Sequence, residues 1–519
     1  MIYQIYPRSF ADANDDGIGD LRGITGRLDY LRWLGVDALW LNPITPSPNA
    51  DWGYDVSDYC AVHPDFGTLD DFDELITQTT RRGLRVLLDL VPNHTSDRHP
   101  WFEDARSGRR ARHRDYYLWA DPARDGGPPN NWLSLFGGAA WTLDEASGQY
   151  YMHSFLASQP DLNWWNDDVR TAFDDILRFW LDRGIAGFRV DVAAGMIKDR
   201  DLRDNPPAAA ADHGVVRALG QRQEFNMNRP EVHEVLRRWR ALTDRYDGDR
   251  VLLGEAYVLD VEQLAAYYGD GRDELHLVFN FLLLHAELDA EELRAILADS
   301  EPLDRLESWP AWAGSNHDAG RLATRWAHGD PNRARCAHLL LLTLRGTPVL
   351  YYGDELGLPE LPIPRETSVD RGRKATQEPG RDGARTPMRW SSGPHGDFTH
   401  AAAQPWLPVG DPAAGNVADQ ARDPSSILHL CRDLLALRRH YPDLHTGPLK
   451  LLEEGPSGVL AFRRGERFTL ALNLSATPHT VTVPPGRIIL STHRDRDSER
   501  VSGSLALDGW SGALIDRQH

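Results

Sequence analysis

The stretch Asp167–Val192, DDVRTAFDDILRFWLDRGIAGFRVDV, holds in one run the unit from which the fold is read. Phe173, Ile176, Leu177, Trp180 and Leu181 recur at helical intervals and share one face. Gly184 stops that helix, and the apolar run GFRVD that follows reads as a buried strand ending in a carboxylate, Asp191. A helix that packs on the outside of a sheet and feeds a buried strand is half of a βα repeat.

Outward from this unit, short apolar runs alternate with helical patterns to about Tyr441. The candidate strands are IYQIY from Ile2, ALWL from Ala38, RVLLDL from Arg85, GFRVDV from Gly187, VLLGEAY from Val251, LVFNF from Leu277, WAGSN from Trp312 and PVLYYG from Pro348. Their number and spacing predict an α/β fold, a (β/α)₈ barrel spanning 1–94 and 166–445. Residues 95–165 are rich in Gly, Pro, Asn, Arg and aromatics without a full βα repeat. They are expected to form an inserted domain after the third strand, overhanging the barrel mouth. A second long loop, Pro364–Pro387, follows the eighth strand and reads as a functional wall or lid. From Gly447 the pattern turns to short β-type runs such as GVLAFRR and FTLALNL, which predicts an antiparallel β domain over 446–519.

Composition narrows the function. A formal net charge of −20 leaves no basic surface for nucleic acid or an anionic membrane, so a small neutral or cationic partner is expected. The 17 tryptophans favour a carbohydrate site, because flat rings stack on sugar faces. Cys60, Cys336 and Cys431 are odd in number, far apart and without metal-ligand spacing, which fits reduced thiols in the cytoplasm. Met1 leads directly into IYQIYPRSF with no secretory pattern, and the chain has no long apolar span, so a cytoplasmic location is expected. Oligomeric state is left open.

In a barrel of this kind chemistry gathers at strand C-termini. Asp191 closes GFRVD, Glu255 closes LLGE, and Asp318 stands in SNHD beyond the seventh strand. Arg189, two residues before Asp191, projects to the same strand side and is expected to hold Asp191 ionised. Near the amino terminus, DANDDGIGDL places oxygen donors at Asp12, Asn14, Asp16 and Asp20, with the Ile18 carbonyl and a turn at Gly17. This resembles the first part of a calcium loop, although Gly23 stands where such a loop has Glu.

Five ordered segments, DLVPNHTS from Asp89, QPDLN from Gln159, GFRVDV from Gly187, GEAY from Gly254 and SNHD from Ser315, resemble the α-amylase family of glycoside hydrolases. Within it they resemble the α-glucosidase and oligo-1,6-glucosidase branch. The resemblance covers essentially the whole chain. It implies a retaining α-glucosidase acting on terminal α-linked glucose of short oligosaccharides or α-glucosides. Asp191 would be nucleophile, Glu255 general acid/base with a raised pKa, and Asp318 the carboxylate that stabilises the transition state. It also implies that His94 and His317 bind glucose hydroxyls, that Tyr54 stacks on the terminal glucose, and that Asp55 and Arg385 bind the outer hydroxyls of that glucose and close the pocket. Similar oligo-1,6-glucosidases hold structural calcium in the Asp12–Asp20 loop. Val192 after the nucleophile tends to accompany α-1,6 activity, and Ala194 stands where many similar enzymes have histidine. Two alternatives on the same scaffold are an α-glucosyl transferase or isomerase, by transglycosylation, and a non-catalytic relative.

Overall fold

Eight parallel strands close a barrel: β1 (Ile2–Ile5), β2 (Ala38–Leu41), β3 (Arg85–Leu90), β4 (Gly187–Val190), β5 (Val251–Gly254), β6 (Leu277–Phe279), β7 (Pro310–Ala313) and β8 (Thr347–Tyr351). Each strand pairs with its successor, and β8 returns to β1 with Ile2 opposite Val349. The computed structural model describes residues 1–300, 303, 308–370, 380–452 and 455–518. The strand expected from Trp312 starts at Pro310 and ends before Gly314, so SNHD belongs to the loop that follows it.

Side-chain alternation along the strands separates two apolar layers. Ile2, Trp40, Leu87, Leu253, Phe279, Ala311 and Val349 fill the barrel interior, while Tyr3, Leu39, Leu88, Phe188, Leu252 and Leu350 pack outward against the helices. The helix Asp167–Asp182 buries Val169, Phe173, Ile176, Leu177, Trp180 and Leu181 on that outer layer. Asn166 caps it by accepting from the Asp168 N–H, and Gly184, at φ +95°, turns the chain into β4. Gly187 opens β4 at φ +144°, and a Cβ there would lie 1.9 Å from the Val251 carbonyl oxygen, so β5 can approach only a glycine. Phe188 and Val190 then point outward, which leaves Arg189 and Asp191 on the inner side at the strand's C-terminal end.

Within the insertion, Trp119–Ala120, Gln149–Met152 and Trp141–Asp144 form a three-stranded antiparallel sheet with Gln149–Met152 central. Trp132, Ala140, Trp141 and Met152 make its core. The insertion is pinned to the barrel by a fully buried ion pair, Lys198 Nζ to Asp161 at 2.6 Å. Beyond the barrel, Leu449–Leu451, Val459–Arg464, Phe468–Asn473, Ser511–Asp516, Gly486–Ser491 and Arg500–Val501 form a six-stranded antiparallel sheet in that spatial order, beside the pair His479–Thr482 and Ser504–Leu507. Among the described residues, no helix is long and apolar enough to cross a membrane.

Candidate active site

The site is organised by one buried guanidinium. Arg189 Nη1 donates to Asp89 Oδ1 at 2.7 Å and to Asp191 Oδ1 at 2.6 Å, and its Nη2 lies 2.7 Å from Glu255 Oε2. The three carboxylates come from the ends of β3, β4 and β5, which the barrel register places side by side; Asp89 and Arg189 are direct Cα partners. The side chain of Asp89 is fully buried, Asp191 is 7% exposed and Glu255 16%, so the last two open toward the barrel mouth. Glu255 also accepts the Val192 N–H at 3.1 Å and lies within hydrogen-bonding reach of Asp191.

One cation facing three carboxylates does not hold them all ionised. Burial pushes the Asp191 carboxyl well above the usual range; Arg189 pulls it back, and Glu255 and Asp89 push it further. The expected ion pair of Arg189 with Asp191 is present, and burial and the two neighbouring carboxylates work against it. Burial raises the Asp89 carboxyl as well, against the pull of Arg189.

Asp318 faces this pair from the loop after β7. Its Oδ1 accepts from Arg381 Nη1 at 2.9 Å and Arg385 Nη2 at 3.0 Å, and His317 Nε2 lies 3.0 Å from its Oδ2. Burial opposes its ionisation, but His317, Arg381 and Arg385 outweigh that and hold the Asp318 carboxyl well below the usual range. Asp318 therefore remains an anion.

The profile of the alpha amylase catalytic domain matches residues 4–447, in which all of these side chains lie. The chain belongs to the alpha-amylase family. A second match, to a domain of unknown function, DUF3459, covers residues 454–514. The probable alpha-glucosidase of Rhizobium meliloti (strain 1021) is 42% identical, over 100% of this chain and 96% of its own length. The oligo-1,6-glucosidase of Heyndrickxia coagulans is 35% identical, with 95% of each chain covered. Among solved structures, an alpha-glucosyl transfer enzyme, XgtA, superposes with a TM-score of 0.90 at 41% identity, covering 99% of this chain and 98% of that one. The trehalulose synthase MutB of Pseudomonas mesoacidophila MX-45 superposes at 0.91 with 32% identity and the same coverage. As an alpha-amylase family member, the chain is a glycoside hydrolase, with relatives named alpha-glucosidase and oligo-1,6-glucosidase.

Within this family site, most residues singled out from sequence converge. His94 is buried, with Nε2 3.0 Å from the Tyr54 carbonyl and Nδ1 3.1 Å from Asn93 Nδ2; burial pushes its pKa down and keeps it neutral. His317 Nδ1 lies 2.9 Å from Gln4 Nε2, and its ring stacks on Tyr54 at 5.2 Å and 7°. One face of the Tyr54 ring is thus covered by His317, and its hydroxyl donates to Asp89 Oδ2 at 2.8 Å. Val192 and Ala194 are buried in the turn after Asp191, where Val192 takes a left-handed conformation at φ 44°.

Asp55 is a correction. It is fully buried and spends its oxygens on the Ser47 hydroxyl and on the N–H groups of Ala50 and Asp51, at 2.7 to 2.9 Å, so it does not meet Arg385. The acid that faces the pocket wall is Asp51, whose Oδ1 is 2.6 Å from Arg381 Nη2 and whose Oδ2 accepts from Gln159 Nε2 at 3.1 Å. Arg381 joins Asp51, Asp318 and Asp370, the last at 2.8 Å. Replacement separates the two acids. Asp51→Ala is expected to raise KM at least tenfold with a small change in melting temperature. Asp55→Ala orphans two buried N–H groups and should cost about 2–4 kcal/mol of stability. Kinetics and melts on both variants check this; a matching pattern in the two would contradict the assignment.

The loop from Asp12 to Asp20 is wound on itself. Asp12 accepts the N–H groups of Asn14, Asp15 and Gly17 and the Thr399 hydroxyl, Asp16 accepts the Ile18 N–H, and Asp20 caps the helix Leu21–Gly26 through the Gly23 N–H. Its donors are all oxygens, the chemistry of a hard cation. Among the described residues, no three His, Cys, Asp or Glu side chains converge as a metal cage, so an ion would draw also on Asn14 and the Ile18 carbonyl.

Proposed function

We propose that the chain is a retaining, exo-acting α-glucosidase that releases terminal α-linked glucose from short oligosaccharides or α-glucosides through a covalent glucosyl-enzyme. The observation that carries this is the shared grip of Arg189 on Asp191 and Glu255. Carboxyls within hydrogen-bonding reach leave no room for the water that an inverting site places between groups about 6.5–9.5 Å apart. Asp191 attacks the anomeric carbon while Glu255 delivers its proton to the glycosidic oxygen. Glu255 then removes a proton from the incoming water. Asp318, kept anionic, stabilises positive charge on the sugar ring. His94, His317, Asp51, Arg381 and Arg385 hold the terminal glucose, and the Arg381 cluster walls off the non-reducing end.

Hydrolysis of maltose, isomaltose, trehalose, sucrose and an aryl α-glucoside, with the anomer of released glucose followed by NMR, tests this reading. It predicts the α-anomer first; the β-anomer first overturns it. Val192 beside the nucleophile supports activity on isomaltose-type bonds, a preference worth about 1–3 kcal/mol at most. Maltose hydrolysis without detectable isomaltose hydrolysis would count against that preference.

Likeness at 41% identity to a glucosyl transfer enzyme favours a second reading, capture of the same intermediate by a sugar or alcohol in place of water. Longer or rearranged glucosides with little free glucose at high substrate would select it. The free thiols of Cys60, Cys336 and Cys431 support a reducing compartment. We propose also that the Asp12–Asp20 loop takes structural calcium. An ion bound at a hundredfold excess over its Kd stabilises by about 2.7 kcal/mol, so chelation should lower the melting temperature. An unchanged melting temperature, with no metal by elemental analysis, would refute it.

A further inference from the structure

Asp354, just past β8, is a buried carboxylate that the proposed chemistry does not use. Its Oδ2 accepts from the Ser315 hydroxyl and, at 3.3 Å, from the Tyr351 N–H, while Oδ1 has no partner among the described residues. The adjacent Glu355 differs: it accepts the hydroxyls of Tyr3 and Tyr30 at 2.7 Å and the Gly353 N–H at 2.9 Å. Asp354 thus leaves half of its bonding capacity unused and directs the rest chiefly at Ser315, the first residue of SNHD.

That segment carries His317 and Asp318. Its later part is held by Arg385 on the His317 carbonyl at 2.9 Å, by Gln4 on the His317 ring, and by Asn316 Oδ1 on the N–H groups of Asp318 and Ala319. Its start is held by Arg325 on the Gly314 carbonyl at 2.5 Å and by Asp354 on Ser315.

The charged and titratable groups facing Asp354 are Arg321 and Arg325 after β7, Glu355 on its own turn, Tyr3 on β1, and Cys431 on the helix Ile427–His440. His338, on the helix Pro331–Thr343, donates to its main-chain carbonyl at 2.8 Å. The two arginines bond other carbonyls: Arg321 those of Tyr352 and Thr386, Arg325 those of Gly314 and Ala286. Burial pushes the Asp354 carboxyl up to about 7, with Ser315 and Arg321 pulling it back. A carboxyl raised in the folded state favours the fold below its unfolded pKa, and that advantage is lost as pH rises through the folded value. Ionised Asp354 is therefore kept at a cost in stability.

We propose that Asp354 is a positioning residue for the glucose subsite: its carboxylate, through the Ser315 hydroxyl, sets the SNHD segment so that His317 and Asp318 face the terminal sugar. This rests on the reading of His317 and Asp318 as sugar-binding groups. A hydroxyl bonded to a charged oxygen is held roughly twice as strongly as one bonded to a neutral oxygen. Ionisation of Asp354 therefore tightens the segment, and protonation loosens it.

Asp354→Asn keeps the shape and an acceptor but never carries charge. It should weaken glucose binding, measured by calorimetry, and raise KM for an aryl α-glucoside, each about tenfold at pH 8, with a smaller change in kcat. Its melting temperature should gain on the parent as pH rises from 5 to 8. The parent's glucose affinity should fall as pH is lowered through about 7, and the variant's should not. Ser315→Ala should reproduce the binding loss, and the double variant should bind no worse than either single one. A lower melting temperature at every pH with unchanged glucose affinity, or additive losses in the double variant, overturns the proposal. His317→Ala is the control. If it abolishes glucose binding while Asp354→Asn does not alter it, positioning fails alone; if it also leaves binding intact, the subsite reading fails with it.

Discussion

Glu255→Gln is expected to slow disaccharide hydrolysis by about 10²–10⁴-fold while sparing the first step on aryl glucosides with acidic phenols. The substitution keeps the contacts to Arg189 and the Val192 N–H nearly isosteric but removes the transferable proton. A sugar leaving group needs that proton, whereas an acidic phenolate leaves with little help. Attack by water on the glucosyl-enzyme then becomes slow, because no base activates it. Azide needs no base, so it should restore turnover and give the α-glucosyl azide with retained configuration. Equal, near-native turnover of disaccharides and activated aryl glucosides would place the acid/base elsewhere.

Arg189→Met is expected to be the most damaging single change to stability. It removes the cation shared by Asp89, Asp191 and Glu255 while filling nearly the same volume. Buried charges stripped of a partner cost about 3–5 kcal/mol, and the loss should be accompanied by loss of activity. The pH dependence is signed: the orphaned carboxylates are relieved by protonation, so the melting temperature should fall further behind the parent at pH 8 than at pH 5. A deficit that is the same at both pH values would show that lost packing, not charge, dominates.

The barrel was legible because its two signals are local. Helical periodicity such as that of Phe173 to Leu181 and short apolar runs ending in acids survive without tertiary knowledge, and β1–β8 all overlap expected runs, β7 only through Trp312 and Ala313. The carboxylates Asp191 and Glu255 were legible for the same reason, since strand ends map directly onto the barrel mouth. Loop residues were not. Asp51 and Asp55 lie four apart in DWGYD, and the chain reverses between them through Trp52 at φ 49° and Gly53 at φ 108°. That turn sends one acid to Arg381 and folds the other onto its own backbone, and linear spacing contains no sign of which is which. Arg381 and Arg385 bracket the short turn Asp382–Arg385 and both reach Asp318, so reading one of them missed its neighbour. Asp89 could have been found: once β3 and β4 pair in parallel, it falls opposite Arg189.

The central claim is that Asp191 forms a covalent bond to glucose, and the most direct measurement is to trap that bond. Treatment with a 5-fluoro α-glucosyl fluoride, which slows the second step more than the first, should add one fluoroglucosyl mass to the intact protein. Peptide mapping should place that mass on Asp191. No adduct on enzyme that is demonstrably inactivated and reactivated by the reagent, or an adduct on Glu255 or Asp318, would contradict the account.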